Sequence, residues 1–339
     1  MASNAAKNGV PFIASLRPPA AISGGTFELR GESFSSGDGV NPVVRFGDAS
    51  GRLVVGGSSR VIVSVPDDAE DGVVLLESKG QASNAAPCVI GRMVAENLHP
   101  VANPAVDAFG NVYTTRSGTR GEKVPVSVFK IDTTDTVRPF TSEIVNPTGL
   151  IVDSRGILLV SARNEGTIYS VDAAGDVETY AEGMGVATGL AMDAQENLYV
   201  GDRTGTIFKI GRDRQIFVFA TMEPSISAYH LAFGTDGYLY VSGPTTSSHD
   251  SVKRINAAGE VEDYASGFGR PQGLAFDFDE RLHVAASFGG RRGIFRISAD
   301  AEPELVVSGP GIVGMAFLPA GGMVVATTSN IYRLRGDGL

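Results

Sequence analysis

Tryptophan is missing from this 339-residue sequence, and cysteine occurs once, at Cys88. A single cysteine excludes an intrachain disulfide and any zinc site built from paired cysteines. We predict that Cys88 is a buried, unreactive thiol, since free cysteine usually behaves as a small apolar residue. Histidine is also scarce: His99, His230, His249 and His283 are too scattered to form a recognisable metal motif.

The sequence has no excess of basic residues. Its formal net charge is −10, so a phosphate backbone would be repelled on average and nucleic acid is not expected as a partner. No apolar run reaches the roughly 18 residues of a membrane span, so we expect no membrane insertion. The opening MASNAAKNGVPF lacks the apolar core of a secretory signal. This favours a cytoplasmic location, and the sequence gives no other sign of where the protein is found.

Long stretches of 3.6-residue periodicity are also lacking, and short alternations of apolar and polar residues dominate instead, which predicts an all-β protein. Residues 10–87 show short strand patterns separated by Gly, Pro and Asp turns, as in a small sandwich. The stretch PFIASLRPPAAISGGTFELRGESF, followed by VVRFG and SVPDDAEDG, resembles an IPT/TIG immunoglobulin-like domain. The resemblance implies an immunoglobulin-like sandwich over residues 10–87.

Residues 88–339 contain a repeat of about 40 residues. Six segments align without gaps: NPAVDAFGNVYTTR (103–116), GLIVDSRGILLVSA (149–162), GLAMDAQENLYVGD (189–202), HLAFGTDGYLYVSG (230–243), GLAFDFDERLHVAA (273–286) and GMAFLPAGGMVVAT (314–327). Each reads as a strand, a polar turn and a second strand, and most are followed by a second hairpin such as GTIYSVDAAGDVETYA (166–181). Such a spacing of strands is typical of a β-propeller.

One repeat therefore predicts one four-stranded blade, and six repeats predict six blades. The last repeat lacks its outer strand, because few residues follow Leu334. We expect CVIGRMVAE (88–96) to supply that strand and so close the ring without an open sheet edge. In GLAMDAQENLYVGD we expect Leu190 and Met192 to pack against a neighbouring blade, with a turn at 193–197.

The repeats are similar to NHL repeats and to the gluconolactonase (senescence-marker-protein) and strictosidine-synthase-like propellers. The gluconolactonase resemblance implies a divalent metal at one end of the central channel, bound just before the first strand of each blade. The corresponding positions here are Ala102, Thr148, Thr188, Tyr229, Gln272 and Val313. None is a carboxylate, which a hard cation such as calcium prefers.

Other residues are candidates for ligand binding. His230 replaces the glycine that begins four of the other repeats, and the loops after each inner hairpin carry polar and charged residues on one expected face. The loop SFGGRRG (287–293) places two glycines beside two arginines, which suit carboxylate or phosphate. The predicted binding residues are Thr148, Thr188, Tyr229, His230, Gln272, Arg163, Asn164, Arg203, Arg291 and Arg292.

The leading hypothesis is a non-enzymatic binding protein that holds a small polar molecule, glycan or peptide at the channel mouth, with no cofactor and no metal. The alternative is a metal-dependent hydrolase of the gluconolactonase type, using calcium or a similar ion bound by Glu165, Asp202 or Asn103 instead. The third hypothesis is a strictosidine-synthase-like enzyme, whose chemistry requires a buried carboxylate facing the channel. The sequence leaves the oligomeric state open.

Overall fold

The computed structural model describes residues 9–35, 41–300 and 302–336. These residues form strands joined by turns, and none of them belongs to a helix. Consequently the described chain offers no helix that could cross a membrane. The all-β class predicted from the alternation of apolar and polar residues is confirmed.

The region before the repeats contains nine strands. They are β1 (Phe12–Arg17), β2 (Ala20–Ala21), β3 (Thr26–Glu32), β4 (Val43–Phe46), β5 (Ala49–Val55), β6 (Arg60–Ser64), β7 (Gly72–Ser78), β8 (Gln81–Ala82) and β9 (Ala86–Ile90). They pair in the order β1-β3-β6-β5-β4-β7-β9 around one core that includes Phe27, Phe34 and Phe46. Cys88 lies in this core, and its burial raises the pKa of the thiol to about 11. The immunoglobulin-like assignment of this region stays a prediction.

Four antiparallel sheets of four strands follow in chain order. Their strands are β11 (Ala105–Val106), β12 (Val112–Thr115), β13 (Val128–Ile131), β14 (Val137–Thr141), β15 (Pro147–Val152), β16 (Leu158–Ala162), β17 (Thr167–Val171), β18 (Val177–Ala181), β19 (Ala187–Met192), β20 (Leu198–Asp202), β21 (Thr206–Ile210), β22 (Ile216–Thr221), β23 (His230–Phe233), β24 (Leu239–Ser242), β25 (Asp250–Ile255) and β26 (Val261–Phe268). Each sheet holds one repeat and its second hairpin, so the protein has a propeller arrangement.

A fifth separate sheet joins the two ends of the repeat region. It pairs strands β10 (Arg92–Ala95), β33 (Ile331–Leu334), β32 (Met323–Thr327) and β31 (Ile312–Phe317). The expected pairing of segment 88–96 with the last strand is therefore present, in the register Arg92 opposite Arg333. It satisfies backbone groups that would otherwise form an exposed edge.

Strands β27 (Leu274–Phe276), β28 (Leu282–Phe288), β29 (Arg291–Ile297) and β30 (Glu304–Ser308) pair in the same antiparallel order. They belong to a thirteen-stranded sheet, because β2 lies parallel to both β30 and β9 and connects them. Ala20 and Ile22 are fully buried in a core shared with Ile312 and Met315. The two-residue strand β2 thus connects the first region to the outer edge of the sheet formed by β27–β30.

The hairpin turns are stabilised by an aspartate at a repeated position. In the turn between β19 and β20, Asp193 Oδ1 accepts hydrogen bonds from the backbone N–H groups of Gln195 (3.0 Å) and Asn197 (2.8 Å). Asp277 binds Asp279 N and Arg281 N in the same way. A short acceptor that mimics a backbone turn explains why aspartate recurs here.

The apolar cores of the repeats lie between neighbouring sheets. One cluster combines Leu159 and Ile168 of one sheet with Leu190 and Val200 of the next, and Met192 packs against it. This confirms the expected contacts of Leu190 and Met192. A single four-stranded sheet cannot cover both of its faces, so each sheet depends on its neighbours for burial.

Candidate functional site

The first strands of the repeats surround one cavity, which we call the axial cavity. Its volume is about 350 Å³, and β11, β15, β19, β23, β27 and β31 all contribute to its wall. Neighbouring first strands are in contact, and the last of them, β31, contacts β11. The cavity therefore lies on the axis of the arrangement.

Adjacent first strands are in direct backbone contact at one level of this axis. A Cβ atom on Gly149 would lie 2.3 Å from the carbonyl oxygen of Thr188, and one on Gly189 would lie 2.4 Å from that of Tyr229. A real Cβ does not approach backbone this closely, so only glycine fits. The glycine at the start of the repeats is thus explained by packing, not by turn geometry.

Two sheets carry a side chain at this level, and the two side chains differ in their bonding. Asn103 uses both ends of its amide, because Nδ2 donates to Leu274 O (2.5 Å) and Oδ1 accepts from Met315 N (3.1 Å). His230 lines the axial cavity and is 3 % exposed, yet its Nε2 has no hydrogen-bond partner among the described residues. Burial lowers the pKa of His230 to about 4, so the ring is neutral near pH 7.

The positions just before the glycine level are mostly buried. Thr188 Oγ1 donates to Gly201 O (2.8 Å) and accepts from Tyr229 N (3.1 Å), and Thr148 Oγ1 donates to Asn146 O (3.4 Å). The Tyr229 hydroxyl donates to the carbonyl oxygen of Glu223. Gln272 is half-buried. The polar atoms of Thr148, Thr188 and Tyr229 are therefore engaged within the protein.

The loops that follow the second strands project beyond the starts of the first strands, because Pro147 pairs with Ala162 and Ala187 with Asp202. We call the surface formed by loops 116–123, 163–166, 202–205 and 243–250 the upper face. The buried Asn146 holds the first loop: its Oδ1 accepts from Gly121 N (2.6 Å) and its Nδ2 donates to Thr119 O (2.9 Å).

Arginines gather on the upper face without carboxylate partners. Arg163 is half-buried, and its Nη2 donates to Gly118 O (3.3 Å). Burial lowers the pKa of Arg163, and the positive charges of Arg203 and Arg120 lower it further. Within the described residues, no Asp or Glu forms an ion pair with any of these three arginines. These three charges are therefore not ion-paired in the described chain, although the same loops also carry Glu122, Glu165, Asp202 and Asp250.

The structure does not bring the arginines of SFGGRRG together. Phe288 pairs with Arg291, so Gly289 and Gly290 alone form the turn, and both have positive φ (56° and 77°) as a tight hairpin requires. Arg291 and Arg292 are neighbours in β29, and successive side chains of a strand point to opposite faces. The glycines therefore serve the turn.

The two carboxylates named as metal ligands in the hydrolase hypothesis have hydrogen-bond partners within the protein. Asp202 Oδ1 accepts from Val186 N (2.9 Å) and Thr204 N (3.1 Å), and Glu165 accepts from the Tyr169 hydroxyl (2.6 Å). Among the residues that the structure describes, no group of three or more His, Cys, Asp or Glu is arranged to hold a metal ion.

Two residues of the upper face were missed by sequence reasoning. Arg120 lies in an unpatterned loop, and Asn146 lies before the first strand of the next sheet. Their contacts join loops 25 or more positions apart, for example Gly121 N with Asn146 Oδ1. The only local sign is the Asn-Pro pair at 146–147, which favours a turn.

No protein-family model matches the sequence, and no curated protein matches it. Solved structures do match. A gluconolactonase of Xanthomonas campestris is 15% identical, covers 78% of this chain and 89% of its own, and has a TM-score of 0.58. An auxiliary nutrient binding protein of Bacteroides ovatus is 11% identical, covers 97% and 98%, and has a TM-score of 0.54. Virginiamycin B lyase of Staphylococcus aureus is 14% identical, covers 92% and 99%, and has a TM-score of 0.51.

These identities show a shared fold and nothing finer. The class is that of an all-β protein with a propeller arrangement. In particular, the chain has gluconolactonase-like propellers among its structural neighbours.

Proposed function

We propose that this chain is a non-enzymatic binding protein that holds a small polar, anionic molecule on its upper face. The observation that carries the proposal is the group of Arg120, Arg163 and Arg203. The half-buried charge of Arg163 is disfavoured by burial and by its two neighbours. A carboxylate or phosphate placed between them would relieve that repulsion and accept charge-assisted hydrogen bonds.

The proposed scaffold is a six-bladed propeller preceded by an immunoglobulin-like sandwich. The contact of β31 with β11 and the pairing of β10 with β33 support a ring of six. Strands β27–β30 count as one of the blades in this proposal, and β2 adds the sandwich to its outer edge. A rigid ring is a suitable support for binding loops.

Metal-dependent lactone hydrolysis is not part of the proposal. The positions that correspond to the metal-binding positions of gluconolactonase-like propellers hold no carboxylate. Asp202 already accepts hydrogen bonds from backbone N–H groups. The bound molecule is instead fixed by arginines, which suits recognition without bond cleavage.

Isothermal titration with a matched pair of probes tests the proposal. D-gluconate and D-sorbitol share a six-carbon polyol chain and differ by a carboxylate. We expect gluconate to bind at least about tenfold more tightly than sorbitol, because each tenfold step requires only about 1.4 kcal/mol. The substitution Arg163→Gln should remove the preference.

Arg212→Gln provides the matched control. Arg212 is exposed, pairs with Glu196 (3.3 Å), and lies in the turn between β21 and β22, away from the upper face. Its replacement should leave both affinities unchanged. Equal affinity for the two probes, or no binding of gluconate to the wild-type chain, contradicts the proposal.

A further inference from the structure

The axial cavity is a candidate for a second site, separate from the upper face. Its wall runs along the first strands from the glycine level towards the hairpin turns and includes Met192, Phe233, Phe276 and Phe317. These side chains are half-buried: each packs against a core between sheets and keeps part of its surface accessible. The volume of about 350 Å³ is within the range of small-molecule sites.

The wall offers one polar side chain that the protein does not use. None of the described residues lining the cavity is charged, and its two polar side chains are Asn103 and His230. The amide of Asn103 is fully engaged, as described above. Nε2 of His230 is buried without a partner, although a buried nitrogen of this kind normally has one. A molecule in the cavity, whose wall His230 lines, can supply that missing partner.

The chemistry of the wall defines what fits. Phe and Met side chains favour a flat aromatic ring, through ring-edge and sulfur–aromatic contacts. A neutral imidazole presents one donor and one acceptor nitrogen, and a hydroxyl group can complement either. A carboxylate or an ammonium ion would lose its hydration without meeting an opposite charge.

We propose that the axial cavity binds a small aromatic molecule carrying one neutral hydroxyl group, with His230 as its hydrogen-bond partner. This inference does not depend on the function proposed for the upper face. It also accounts for the histidine at a position where four other repeats have glycine: the residue adds a ring nitrogen to a wall whose side chains, apart from Asn103, are apolar.

Phenol and toluene are the probes for this proposal, because they differ in the hydroxyl group and have similar size. Ligand-observed NMR and calorimetry on the full chain should show phenol binding about tenfold more tightly than toluene. His230→Phe should bind the two probes equally. His230→Gln, which keeps hydrogen-bonding groups, should retain part of the preference and serves as the variant to use if the phenylalanine does not fit.

Two further variants separate the cavity from other surfaces. Ala232→Leu fills space at the half-buried wall and should lower the affinity for both phenol and toluene. His249→Phe changes an exposed loop histidine and should leave both affinities unchanged. The inference is overturned if phenol fails to bind the wild-type chain at millimolar concentration. It is also overturned if His230→Phe and His230→Gln both keep the full preference for phenol.

Discussion

The upper face and the axial cavity are built from different parts of the repeat. The upper face consists of loops whose polar groups are anchored by Asn146 and Asp202. Its arginines at 120, 163 and 203 form no ion pair with a carboxylate in the part of the chain that the structure describes. The cavity consists of regular strands whose side chains are apolar except at Asn103 and His230, and Nε2 of His230 has no partner among the described residues. The comparison teaches that the strands and the loops of one repeat form surfaces of different chemistry.

The glycine level stands between these two regions, and disrupting it should give the largest effect. Gly189→Val places a side chain against the carbonyl oxygen of Tyr229, where even a Cβ would lie at 2.4 Å. Overpacking of this kind costs about 3 kcal/mol when the obstacle cannot move. We expect a clear fall in the denaturant midpoint.

Gly56→Ala is the control for this prediction. A Cβ there meets only the side-chain oxygen of Asn41 at 3.3 Å, and that atom can move. Its stability should match that of the wild type. A Gly189→Val protein with an unchanged midpoint would mean that the first strands do not touch as described.

The second prediction uses pH to distinguish the cavity from the upper face. Burial lowers the pKa of His230 from 6.5 to about 4 in the folded chain, so between these values the unfolded chain binds the extra proton. The contribution of His230 to the free energy of unfolding is therefore fully present above pH 6.5. It is lost as the pH falls towards 4, and the total loss is about 3 kcal/mol.

The comparison of wild type with His230→Phe isolates this contribution, since carboxylates titrate equally in both. The variant should lose less stability than the wild type between pH 7 and pH 4.5, as measured by the denaturant midpoint at each pH. Parallel curves for the two proteins would show that His230 is not buried as a neutral ring.

The smallest expected effect tests whether the Tyr229 hydroxyl belongs to the binding site proposed on the upper face. Tyr229→Phe removes the hydroxyl that donates to the carbonyl oxygen of Glu223, and a typical hydrogen bond contributes about 1 kcal/mol. The unfolding free energy should fall by about that amount, while gluconate affinity stays the same. A loss of gluconate affinity with unchanged stability would place the hydroxyl in the binding site instead.

Local patterns predicted much of the fold. Alternation in GLAMDAQENLYVGD predicted the hairpin and its turn, because these depend on neighbours in the sequence. The packing of Leu190 against the preceding sheet followed from the repetition of the hairpin. The closing role of segment 88–96 followed from counting strands, and its pairing with β33 is present. The immunoglobulin-like assignment and the binding residues remain predictions.

Distant contacts that the repeat count does not imply were not predictable. The insertion of Ala20 and Ala21 between β9 and β30 joins residues more than 280 positions apart, and no local pattern announces it. SFGGRRG suggested an anion-binding loop, but both arginines belong to β29, where successive side chains point to opposite faces. Side-chain function at such sites depends on register, which composition does not reveal.

The most direct test of two separate sites is a calorimetric titration of phenol into the protein, with and without saturating gluconate. If the glycine level separates the upper face from the axial cavity, phenol binds with the same affinity and heat in both titrations. Competition between the two probes would contradict the account, because it would place them in one shared space.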